Sequence, residues 1–138
     1  MPRQQVLQRR LARIEEYLGA LERARRYSET EFLADPERYG SAERFLQLTI
    51  EALIDIGTHV IAEKALGEVR HGRDIPALLQ RAGYVDATLA ERWIRMIGFR
   101  NILVHEYLEI DRKVVYHVLH YQLDDIRALA GCFAQLLD

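Results

Sequence analysis

Apolar residues recur at helical spacing through nearly the whole chain, and this periodicity constrains the fold more than any other feature. No stretch alternates apolar and polar residues for long enough to predict a strand, and no Asn-Gly or Asp-Gly pair favours a hairpin. The spacing of alternately four and three residues, which places one apolar stripe along one helix face, is clearest at Leu7, Leu11, Ile14, Leu18 and Leu21. The sequence therefore predicts an all-α fold.

Breakers and capping residues divide this pattern into four long helices and one short one. A first helix is expected to reach about Phe32, because the residue before a proline is pushed out of the helical region. Segment 67–74 is the one clear loop, and a short helix follows over 75–81. The brief connections favour an antiparallel four-helix bundle with one additional short helix. The expected boundary markers are Asp35-Pro36, Ser41, Asp74, Gly83, Asp86 and Asp111.

Length and composition set the class of protein. A chain of 138 residues with 49% apolar residues is expected to form one domain, over 1–138, with its own core. The single cysteine, Cys132, excludes an internal disulfide and a multi-cysteine zinc site. Neither a leader peptide nor an apolar stretch of about 18 residues is evident, so we expect a soluble, cytoplasmic protein without a membrane span. The net charge of −2 argues against a general nucleic-acid coat protein.

Four chemically active residue types gather near the end of the third long helix: Arg100, Asn101, His105 and Tyr107. Asn101 and His105, four apart, share a helix face. Arg100 and His105 lie about 140° apart around an ideal helix axis, so one straight helix would not aim both at one atom. Either the helix breaks near Val104 or a second chain contributes the partner group. The alternative is that these residues have no function beyond structure. Arg100 and His105 would then complement the helix dipole at the C-terminus of the helix, and Tyr107 would be a half-buried packing residue.

The order of these residues resembles the Arg-x4-His-x-Tyr motif of the HepT-like toxins, which are minimal members of the HEPN (higher eukaryotes and prokaryotes nucleotide-binding) superfamily. The likeness extends to the helical frame. Segment 43–59 resembles the second helix of the family, 75–83 its short helix, 96–101 the approach to the motif and 110–111 the start of the last helix. The whole chain is thus identified as one HEPN-like helical domain.

The resemblance implies a metal-independent endoribonuclease toxin of a type II toxin–antitoxin pair, without a cofactor. The imidazole of His105 can act as general base or acid, and Arg100 can hold the phosphate. Asn101 can orient the imidazole or bind the RNA substrate. Since one histidine cannot easily serve as both base and acid, a homodimer that pairs two motifs is expected.

In the family, the tyrosine matching Tyr107 accepts AMP from a partner antitoxin, a minimal nucleotidyltransferase called MntA. The added bulk and negative charge would block RNA in a cationic cleft. The alternative for Tyr107 is a packing residue with one hydroxyl. The alternative for the whole chain is a non-catalytic helical subunit that presents nucleotide or substrate to a partner nucleotidyltransferase.

Other polar clusters have weaker claims. A polar stripe along the second helix is formed by Glu51, Asp55, His59 and Glu63 and is most simply a solvated face. The alternative places Asp55 and His59 at the dimer face near the motif, as residues that support it. Trp93 and Cys132 are expected in the core. The residues His117, His120 and Asp124 share a face of the last helix and are similar in type to a two-histidine, one-carboxylate metal site. The sequence has no second Glu-x-x-His element to complete a two-metal site in a helical bundle, so no metal is predicted.

Overall fold

The computed structural model describes residues 2–105 and 109–137, and throughout these ranges the regular structure is helical. The all-α prediction is confirmed. Two short helices accompany four long ones, so the fold has one short helix more than the sequence predicted. The helices are α1 (Pro2–Arg25), α2 (Glu29–Ala34), α3 (Pro36–Lys64), α4 (Asp74–Arg81), α5 (Ala87–His105) and α6 (Arg112–Ala134).

The first predicted helix is two helices. α1 ends at Arg25, and α2 begins at Glu29, with Ser28 as the N-cap of a capping box. The Ser28 hydroxyl accepts the backbone N–H of Glu31 at 3.2 Å, and the Glu31 carboxylate accepts the N–H of Ser28 at 3.0 Å. These bonds lower the pKa of Glu31. A serine followed three residues later by glutamate is a helix start signal, and here it outweighs the continuous apolar spacing.

Two of the expected N-caps are wrong. α3 begins at Pro36 with Asp35 as its cap, because Asp35 accepts the N–H of Glu37 at 2.9 Å, and Ser41 lies inside the helix. Asp74 is the first residue of α4 and closes the preceding loop instead. Its carboxylate accepts the N–H groups of Arg70 and His71, both at 2.9 Å, and these bonds lower its pKa.

The remaining boundaries are confirmed. Asp86 accepts the N–H of Leu89 at 2.7 Å at the start of α5, and Asp111 accepts that of Lys113 at 2.9 Å at the start of α6. Gly83 ends α4 with a φ of +88°, a left-handed conformation that glycine adopts without steric cost.

The core is organised around α3, which packs against each of the other five helices. Trp93 is fully buried, as expected, and its ring meets Phe133 edge-on at 5.7 Å. Cys132 is half-buried against this core, and burial raises the pKa of its thiol. The thiol is therefore less ionised, and less reactive, than a free cysteine at neutral pH.

The expectation that no stretch is long and apolar enough to cross a membrane needs a correction. An 18-residue window in α3 has a mean hydropathy of 1.4, which meets that criterion by length and composition alone. The apolar residues of α3 instead supply the centre of the bundle, including Leu46, Ile50 and Leu53, which are fully buried. A central helix surrounded by others is apolar for that reason.

Gly57 allows the closest approach of α3 to its neighbours. A Cβ at this position would lie 2.6 Å from Ile75 Cγ2 and 3.0 Å from the Trp93 ring. Gly40, in the same helix, has nothing within 4 Å of such a Cβ. Gly57 is therefore needed for the close packing of α3, whereas Gly40 only lowers the helix propensity of α3.

We predict opposite effects from one substitution at these two glycines. Gly57→Ala should lower the free energy of unfolding by about 1–3 kcal/mol, because overpacking outweighs the better helix propensity. Gly40→Ala should raise it by up to about 1 kcal/mol. Urea denaturation followed by circular dichroism measures both, and equal effects would contradict the close packing at Gly57.

Candidate active site

An open groove of about 660 Å³ lies between α1, α3 and α5 and includes two residues of the predicted motif, Arg100 and Asn101. The loop before α4 contributes Gly72 to the groove. The charged residues that line it are Arg10, Arg13, Glu51, Asp55 and Arg100, so that three guanidinium groups face two carboxylates.

Arg100 is fixed at the edge of the groove by a carboxylate from another helix. Its Nε and Nη2 donate to Oε1 of Glu51 at 3.3 and 3.1 Å, and its Nη1 donates to Oδ1 of Asn101 at 3.0 Å. Gln47 donates to the same Glu51 oxygen at 3.0 Å. The Arg100 and Glu51 side chains are 29% and 33% exposed, so the guanidinium is held in place while one side stays open to solvent.

His105 is exposed on the last described turn of α5, four residues beyond Asn101. α5 is helical through its last described residue, His105, so Val104 lies within the helix. Arg100 turns towards α3, whereas His105 extends the helix face of Asn101 by one turn. Tyr107, the fourth residue of the predicted motif, lies outside the described residues.

Asp55 and His59 lie further along α3, away from Arg100. Asp55 lines the groove and pairs with Arg10 of α1, and His59 Nε2 is 4.0 Å from the other Asp55 oxygen. Asp55 therefore positions Arg10. Glu51, another residue of the polar stripe of α3, contacts the motif through Arg100.

The histidines of α6 are directed to other partners. His117 Nε2 lies 3.8 Å from Glu29 of α2, and His120 Nδ1 lies 2.9 Å from the carbonyl oxygen of Tyr116 in its own helix. Within residues 2–105 and 109–137, no group of three or more His, Cys, Asp or Glu side chains could hold a metal ion.

The charges of the groove suit a phosphodiester. Arg100 offers five N–H donors, of which three bond to described residues, so a phosphate can still accept from it. An imidazole is a side chain that can exchange a proton with a hydroxyl or a leaving oxygen. Within one chain the fixed positive charge lies in the groove, whereas the exposed imidazole of His105 lies on the last described turn of α5, outside the groove lining.

The sequence model of the family described as "Ribonuclease HepT-like" matches residues 8–132. The chain belongs to this family.

Two curated relatives carry nuclease names. An "mRNA nuclease HepT" of Shewanella oneidensis is 36% identical over 80 residues, which span 58% of this chain and 60% of the relative. A "tRNA nuclease HepT" of Aphanizomenon flos-aquae is 30% identical over 118 residues, or 86% of this chain and 80% of the relative. The chain is thus matched to somewhat less than two thirds of the first relative and to most of the second.

A solved structure shares the fold. The tri-AMPylated Shewanella oneidensis HEPN toxin, in complex with its MNT antitoxin, is similar with a TM-score of 0.86 and 26% identity, covering 94% of this chain and 97% of that one. A toxin–antitoxin structure with AMP-PNP gives a TM-score of 0.83 at 26% identity, covering 93% and 97%.

Proposed function

We propose that the chain is the endoribonuclease toxin of a type II toxin–antitoxin pair and that it cleaves RNA without a metal ion. The observation that carries the proposal is the fixed guanidinium of Arg100 at the groove, with the exposed imidazole of His105 further along the same unbroken helix. The nuclease names of the curated relatives support the reaction class. As a soluble toxin, the protein would act in the cytoplasm.

In this mechanism the 2′-hydroxyl of RNA attacks the adjacent phosphorus and the 5′-oxygen leaves. His105 takes the proton from the hydroxyl or supplies one to the leaving oxygen. Arg100 stabilises the added negative charge on the phosphorane oxygens. Asn101 keeps one edge of the guanidinium in place through its side-chain oxygen. The products would be a 2′,3′-cyclic phosphate and a free 5′-hydroxyl.

His105→Ala and Arg100→Ala should each lower RNA cleavage by about 10²–10⁴-fold, since each removes an interaction made in the transition state. His117→Ala, which removes an exposed imidazole on α6, is the matched control and should cleave at the wild-type rate. Cleavage of a labelled RNA by purified protein, with and without EDTA, measures the effect.

Two results would contradict this assignment. Wild-type rates in His105→Ala would place the active site elsewhere, and activity lost in EDTA and restored by a divalent cation would show that a metal is required. A protein that cleaves no RNA but still binds a nucleotidyltransferase would support the alternative of a non-catalytic binding subunit.

We further propose that the active form is a homodimer with the two motifs facing each other. Because α5 is unbroken through His105, the Arg100 and His105 side chains of one chain point in different directions. A second chain would supply the missing group and separate the roles of base and acid. Ile102, beside the motif, is 44% exposed, as an apolar residue at such a contact could be.

Light scattering of the active protein at micromolar concentration should therefore give about 32 kDa, twice the mass of the 16.1 kDa chain. Size-exclusion fractions assayed for cleavage provide the control, because activity should follow the dimer peak. A monomer that retains full nuclease activity would rule out the need for two histidines.

Tyr107 is proposed as the AMP acceptor for an MntA-like nucleotidyltransferase antitoxin. The support is the similar fold of a tri-AMPylated toxin in complex with its antitoxin. Attached AMP would bring phosphate into competition with RNA for the arginines of the groove.

Tyr107→Phe keeps the ring and removes the acceptor hydroxyl, so this variant should cleave RNA but escape silencing by the partner. Tyr121→Phe, at a tyrosine that is 71% exposed on α6, is the control and should be silenced like the wild type. Mass spectrometry after co-expression should show additions of about 329 Da on the Tyr107 peptide, one for each adenylyl group. Labelling of another residue, or silencing of Tyr107→Phe, would exclude the role of Tyr107.

A further inference from the structure

The groove has a second wall, on α1, that the proposed chemistry does not use. α1 contributes Arg10, Arg13 and Tyr17, whose spacing places all three on one side of the helix. On α3 the lining extends from Leu48 to Thr58, which corresponds to about 15 Å of helix. We call the part lined by Arg10, Arg13, Tyr17 and Asp55 the groove arm.

The two arginines of the arm have donors to spare. Asp55 pairs with Nε of Arg10, and Nη1 of Arg10 is buried without a hydrogen-bond acceptor among the described residues. Arg13 is exposed, and its ion pair with Glu16 is long, at 3.7 Å. Both arginines line the groove, and the Arg10 side chain is 29% exposed although its Nη1 is buried. The N–H groups that reach the groove surface can therefore donate to phosphate oxygens in the arm.

Tyr17 adds an aromatic ring to the same surface. Its ring is half-buried and packs against Phe45 of α3 at 5.7 Å between centroids. Tyr17 also lines the groove, close to the Leu48 end, and Arg100 lies at the opposite wall on α5. Arginines that follow a phosphate backbone, together with an aromatic ring for a base, are the combination with which proteins bind single-stranded nucleic acid.

We propose that the groove arm binds the single-stranded RNA next to the cleaved bond, with phosphates at Arg10 and Arg13 and a base against Tyr17. The proposal rests on the proposed ribonuclease function and adds a binding site to it. The arm on α1 and Arg100 on α5 line the same groove, so a strand bound against α1 lies beside the Arg100 guanidinium. Asp55 neutralises part of the charge of Arg10 while fixing its direction, which leaves the binding to a few directed donors.

The test measures binding of a short 2′-O-methyl RNA, which cannot be cleaved because it has no free 2′-hydroxyl, by fluorescence anisotropy at several salt concentrations. Arg13→Gln should reduce the slope of log Kd against log salt by about 0.7, the contribution of one phosphate contact on a single strand. Tyr17→Leu should weaken binding about 5-fold or more while leaving the slope unchanged. Arg23→Gln removes an equal charge from an exposed position of α1 outside the groove and should change neither quantity.

Equal salt slopes for Arg13→Gln and Arg23→Gln would overturn the proposal. So would conversion of a dimer to a monomer by Arg13→Gln, because the arm would then be a contact between protein chains. Tighter competition by an acidic peptide than by RNA would also overturn it.

RNA binding that depends on Arg13, in a protein that cleaves no RNA, would support the arm and refute the ribonuclease. Cleavage that depends on His105 but not on Arg13 would refute the arm alone.

Discussion

The central position of α3 is the constraint on which the rest of the structure depends. Every other helix packs against it, so its sequence must be apolar on several sides at once. One side remains free of this demand, and it carries Glu51 and Asp55 one helical turn apart. These two carboxylates face arginines of α5 and α1, and the groove lies over this side of α3, between α1 and α5.

The ion pairs across the groove matter for position more than for stability. Groups as exposed as Arg100 and Glu51 contribute about 1 kcal/mol or less to folding, because water screens them and the side chains lose freedom. Their value is geometric, since two bonds to one carboxylate oxygen restrict the guanidinium to one plane. A fixed guanidinium needs no rearrangement when charge develops on a phosphate, which is the condition for electrostatic catalysis.

The sequence predicted the features that depend on neighbouring residues and missed those that depend on distant ones. Helical class, the caps at Asp86 and Asp111 and the turn at Gly83 are local and were confirmed. The break before α2 was also local, but the capping box was overlooked in favour of the apolar spacing. Glu51 was interpreted as part of a solvated stripe, because its partner Arg100 lies 49 residues away, and no spacing rule within one helix reveals such a pair. The roles of Arg100, Asn101, His105 and Tyr107 stay predictions.

The groove that we propose to bind RNA phosphates also contains acidic residues, and its geometry gives them a role. Without Glu51 and Asp55, three arginines would repel one another across a narrow space and their long side chains would move freely. Each carboxylate pairs with one guanidinium, and Arg100, which is 29% exposed, keeps two N–H donors that bond to no described residue. The groove then has a small net positive charge, but the guanidinium N–H donors in it are held in fixed directions. Such a surface favours a ligand whose phosphates match the positions of the donors over a polyanion attracted by charge alone.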